Sequence, residues 1–186
     1  MSVQIERRWF SVSEYERMIE AGILSEDDRL ELIEGDIVKM SPIGRSHAAC
    51  VNRLNAFFNR LAGKDAVVSV QNPVHLNDFS EPQPDVALLK PRGDFYSQAH
   101  PTPADVLLIV EVADTSVETD RTVKVPLYGR ALIPEVWLVD LAREVIEIYA
   151  LPVNGAYQQL RQAKRGDTLT LESLPHVKLD ARDILG

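Results

Sequence analysis

One run of residues constrains this chain more than any other: Val106-Leu107-Leu108-Ile109-Val110-Glu111-Val112. It is apolar on both alternating faces until Glu111 interrupts it, and such a strand belongs inside a sheet covered on both sides. A carboxylate at its end is costly to bury unless a cation, a hydrogen-bond set or a metal compensates. Asp85 has a similar setting, following Pro84 and leading the short run Val86-Ala87-Leu88-Leu89. If these strands are neighbours, the two carboxylates converge at one sheet edge. Oxygen ligands placed together in this way suit a hard divalent cation such as Mg²⁺. A structural reading stands beside this one: Pro-Asp before a strand is a common turn or cap, and a strand-end Glu often reaches solvent.

The remaining elements follow from periodicity and caps. Ser11-Val12-Ser13-Glu14 reads as a capping box, with Val12, Tyr15 and Ile19 at helical spacing and Gly22 as the stop. Two apolar runs around Gly35-Asp36, within Leu30 to Met40, predict a hairpin. Ser46 is positioned to cap a second helix whose stripe is Val51, Leu54, Phe58 and Leu61, closed by Gly63. Strands are expected at 66–71, 85–89 and 106–112, separated by proline-marked loops, then a helix over 118–130 kinked or ended near Pro126. Strands at 136–140 and 145–149 join through a turn at Ala142-Arg143, and 157–160 and 168–171 read as edge strands. A central mixed sheet flanked by helices is the simplest arrangement that buries all these faces.

At 186 residues the chain fits one domain, 1–186, with a core over about 9–150 and a C-terminal extension over 151–186. No apolar run approaches the roughly 18 residues needed to span a bilayer, and the first residues lack the pattern of a signal peptide. The single cysteine, Cys50, forms no internal disulfide and reads as a small core residue, which suits a cytoplasmic setting. A net charge of −8 argues against a broad, non-specific nucleic-acid binder but leaves room for a local basic rim beside an acidic metal site. His75, His100 and His176 lie in separate loops without ligand-like spacing, so no zinc site is expected. His47 reads as a first-turn helix residue rather than a ligand. Asp120 and Lys124, at i and i+4, suit an exposed helical pair, and Glu34 beside Gly35 suits a hairpin turn. Trp137 and Tyr128 read as core or subunit-contact residues. Phosphate-binding glycine loops, nucleophile elbows and Cys-x-x-Cys pairs are absent.

Taken in order, Glu34-Gly35, His47, Pro84-Asp85-Val86, Glu111-Val112, Asp120, Lys124, Tyr128 and Pro134-Glu135 before Val136 to Asp140 resemble a known pattern. It is that of a widespread bacterial family of restriction-endonuclease-like proteins, long labelled only as a domain of unknown function, with the fold of the PD-(D/E)XK nuclease superfamily. The resemblance implies an α/β restriction-endonuclease-like fold. It also implies that Asp85 and Glu111 hold a metal, with the backbone carbonyl of Val112 as a further ligand. Glu34 matches the acid such folds supply from an early element, completing the outer shell or binding a second ion. The signature lysine belongs two residues after the acid, where this chain has Ala113, and Lys124 is its replacement from the following helix.

The leading expectation is therefore a Mg²⁺- or Mn²⁺-dependent endonuclease that hydrolyses phosphodiester bonds in DNA, with Glu34, Asp85, Glu111 and Lys124 at the catalytic site. Two alternatives come from other classes: a catalytically inactive nuclease-fold binding or interaction module, and a metal-dependent hydrolase of small phosphate esters. No membrane partner is expected. A homodimer is compatible with apolar Val145, Ile146, Ile148 and Tyr149, which a core role explains equally well.

Overall fold

The computed structural model describes residues 7–186. Its centre is a six-stranded sheet in the order β3-β4-β5-β6-β7-β8, with β5 and β6 parallel and every other pair antiparallel. The strands are β3 (Val67–Val70), β4 (Val86–Leu89), β5 (Val106–Ala113), β6 (Glu135–Asp140), β7 (Val145–Val153) and β8 (Ala156–Ala163). β5 lies inside the sheet, as its doubly apolar pattern demands. Leu108, Val110 and Val112 face one core cluster together with Cys50, Val51, Leu54 and Phe58 of α2 (Arg45–Ala62). Ile109 and Ala113 face the other, with Val125, Leu127 and Tyr128. Burying one such Leu, Ile or Val contributes roughly 1.5–3 kcal/mol.

α1 (Val12–Glu20) carries the expected capping box, with the Ser11 side chain and the Glu14 side chain each accepting from the other's backbone N–H. The hairpin is also present: β1 (Leu30–Ile33) pairs with β2 (Asp36–Lys39), and Ile33 stands opposite Asp36. Its two-residue loop, Glu34-Gly35, has φ of 49° and 83°, the double positive φ of a type I′ turn. Ser46 does not cap α2. The cap position is Gly44, without a side-chain bond, so Ser46 and His47 fall inside the first turn. A Cβ at Gly44 would stand 3.0 Å from Asp114 Oδ2, which explains a glycine there.

The expected helix over 118–130 is a composite. α3 (Val117–Thr119) runs into a π turn, Asp120–Lys124, and then α4 (Val125–Arg130). Pro126 accounts for the widening, because in a regular α-helix its ring would crowd the carbonyl of Thr122 and it has no N–H to donate.

The tail differs most from expectation. β8 is an edge strand of the main sheet, but β9 (Thr168–Thr170) is not. It pairs with β10 (Lys178–Asp180) in a separate ribbon that leads into α5 (Ala181–Leu185). Leu169, Leu171, Val177, Leu179 and Ile184 then join the core cluster beside α2, so the extension covers apolar surface that the sheet edge does not offer. Val145, Ile146, Ile148 and Tyr149 are buried within this chain's own core. Trp137 is likewise core, as is Cys50, whose thiol burial pushes up to about 12. Among the described residues no helix is long and apolar enough to cross a membrane.

Candidate active site

β4 and β5 pair with Val86 opposite Val110, which makes Asp85 and Glu111 the next positions in register. Directly opposed residues of an antiparallel pair share a face. The two acids, far apart in sequence, thus meet at one end of the sheet. Both are buried, at 7% and 2% exposure.

Asp85 is held from three directions. Its Oδ2 accepts from the Val112 backbone N–H at 2.9 Å and stands 3.0 Å from His47 Nε2, while Gln71 Nε2 donates to Oδ1 at 3.2 Å. His47 reaches it because the first turn of α2 ends over the strand terminus. The other imidazole nitrogen, Nδ1, is buried without a hydrogen-bond partner.

Glu111 is held by the composite helix. Tyr128 donates its hydroxyl to Oε1 at 2.6 Å, and Lys124 Nζ lies 3.4 Å from the same oxygen. Lys124 Nζ also stands 3.1 Å from Glu31 Oε2, which accepts from the Gln83 N–H at 3.2 Å. Asp120 accepts from Ser116 Oγ at 2.6 Å. Asp120, Lys124 and Tyr128 are all buried on one side of the helix. In a regular α-helix two steps of four residues drift around the axis, and the wider π turn reduces that drift.

Burial pushes the Glu111 carboxyl up to about 8, against the pull of Lys124. Asp120 is raised for the same reason, again opposed by Lys124. Burial alone would lower Lys124, but Glu111, Glu31 and Asp120 outweigh it and hold the ammonium well above its ordinary range. Lys124 is therefore a firmly charged cation among acids. It is not the exposed i, i+4 partner of Asp120 that spacing allows.

A cavity of about 290 Å³ opens over this cluster. Its lining includes Glu31, His47, Asp85, Glu111, Val112, Asp120 and Lys124, with Arg29 and Lys39 adding positive charge. Asp85, Glu111, Val112 and Lys124 are thus brought together, and Glu34 is not. Glu34 sits at the apex of the hairpin, its side chain 60% exposed and paired with Arg130 at 2.8 Å. The early acid in the cavity is Glu31. Its position between Leu30 and Leu32 reads as an outward-facing residue of an alternating strand, and Gln83 and Lys124 cover that face. His47 was legible only as a helix-start residue, since nothing local announces its reach to Asp85.

The donor set fits a hard divalent ion. Among the described residues Glu111 Oε2 accepts no hydrogen bond and Asp85 Oδ1 accepts only one. Two carboxylates facing a cavity with room for several waters match Mg²⁺, which keeps several waters and takes one or two carboxylates.

A mixed sheet with helices on both faces and an acidic cluster where the antiparallel pair β4 and β5 ends defines a restriction-endonuclease-like α/β protein. The chain belongs to the Uma2 family, described as "Putative restriction endonuclease", whose profile matches residues 12–182. Its fold is also that of a crystal structure from Anabaena variabilis, described as a "putative nuclease belonging to DUF820". The two share 15% identity at a TM-score of 0.77, over 95% of this chain and 97% of that one. No curated protein matches the chain.

Proposed function

We propose that this protein is a Mg²⁺- or Mn²⁺-dependent endonuclease that hydrolyses phosphodiester bonds in DNA. The observation that carries the reading is the cross-strand meeting of Asp85 and Glu111 beneath a cavity that also holds a buried lysine. Asp85, Glu111 and the Val112 carbonyl would hold the ion. When bound, a divalent cation supplies Lewis acidity towards a phosphate and a lowered pKa for an attacking water.

The chain's own residues do the rest. His47 and the Val112 N–H orient Asp85, and Tyr128 orients Glu111. Glu31 holds the Lys124 ammonium where it stabilises charge developing on the phosphorane. Arg29 and Lys39 at the same cavity form a local basic rim for a phosphate backbone. Glu34 has no part in this arrangement.

Incubation with supercoiled plasmid and either ion tests the proposal. Nicked or linear product should form, vanish with EDTA, and vanish in Asp85→Asn and Glu111→Gln variants that keep the wild-type circular dichroism spectrum. Tight DNA binding without cleavage in either ion would favour a binding module instead. Turnover of small phosphate esters alone would favour a phosphoesterase.

A further inference from the structure

Glu16, His75, Glu81 and His100 line a second cavity, of about 540 Å³, that shares no residue with the one above. They come from separate segments: Glu16 from α1, His75 and Glu81 from the loop before β4, and His100 from the loop before β5. The scaffold under them is hydrogen-bonded, with His75 N donating to Pro101 O at 2.9 Å and Glu81 N to Leu32 O at 2.8 Å. Ligand atoms of Glu16, Glu81 and His100 all lie within 4.8 Å of one another, the one such trio among the described residues.

Glu81 is the anomaly. It is 4% exposed, and its Oε2 is buried with no hydrogen-bond partner. His75 Nδ1 stands 3.4 Å from that oxygen, an ion pair when the imidazole is protonated but too long and poorly aligned for a hydrogen bond. An orphaned buried carboxylate oxygen is costly and calls for a partner.

We propose that Glu16, Glu81 and His100 bind a divalent transition-metal ion of the Zn²⁺ type, with water completing its shell. Mixed imidazole and carboxylate donors select such an ion over Mg²⁺, which favours oxygen alone. Bound there, it ties α1 to both long loops flanking β4, as a clip distinct from the carboxylate pair at the sheet end. His75 and His100, far apart in sequence, line one cavity because the two loops fold together.

Calorimetric titration of the full chain with Zn²⁺ tests this, using His100→Ala, Glu81→Gln and Asp85→Asn. Wild type and Asp85→Asn should share a binding event that His100→Ala and Glu81→Gln each weaken at least tenfold. In the Asp85→Asn background Zn²⁺ should also raise the melting temperature, and adding His100→Ala should abolish that rise. His100 is exposed, so its replacement keeps the test alive if Glu81→Gln fails to fold. Zn²⁺ binding unchanged in His100→Ala, absent from wild type, or lost in Asp85→Asn would overturn the proposal. None of these results depends on whether the protein cleaves DNA.

Discussion

Glu31 and Glu34 are three residues apart, yet one is 4% exposed against Lys124 and the other stands at a turn apex against Arg130. Removing a side chain that orients a site residue typically costs 10–100-fold in activity. Glu31→Gln should therefore lower DNA cleavage by about that factor, whereas Glu34→Gln should leave it unchanged and shift stability by no more than about 1 kcal/mol. Initial rates on one plasmid substrate separate the two. Lys124 is a sharper case, because its ammonium compensates two buried acids. Lys124→Met leaves both uncompensated, and breaking a buried pair in this way costs about 3–5 kcal/mol. Urea unfolding should show that loss.

At the scale of elements, the composite helix decides which side chains reach the site. Pro126→Ala removes the steric reason for the π turn at Asp120–Lys124. The variant should stay folded and gain helix stability, but Lys124 should rotate away from Glu111 and cleavage should fall at least tenfold. Circular dichroism and cleavage rates together check both halves. Such a π turn was not legible in the sequence, where Pro126 signals a kink but not its form. The doubly apolar β5, the capping box of α1 and the stripe of α2 were legible, since each is a local pattern with a strong physical cause. The pairing of Asp85 with Glu111 was legible from two strand ends that each carried an acid no apolar core would choose. Glu31 and His47 were not, because their roles depend on contacts with residues 93 and 38 positions away, Lys124 and Asp85. The ribbon of β9 and β10 escaped for another reason: its strands are three residues each, too short for periodicity.

For the molecule as a whole, a buried acid cluster makes stability depend on pH. Burial raises the Glu111 carboxyl from 4.5 to about 8, so between these values the folded state binds a proton that the unfolded chain has released. Stability of the metal-free protein is thus fully present below about pH 4.5 as far as this group is concerned, and falls as pH rises towards 8. Thermal melts in EDTA should show that decline, and Glu111→Gln should flatten it. Divalent ion should protect most at the alkaline end, where Glu111 is free to bind it. All of this rests on a single claim, that the sheet end is built to hold a divalent cation between two strands. Anomalous scattering from Mn²⁺-soaked crystals tests it most directly. A Mn²⁺ peak should lie in contact with Asp85, Glu111 and the Val112 carbonyl. A peak confined to Glu16, Glu81 and His100, or no peak beside Asp85 at saturating Mn²⁺, would contradict the account.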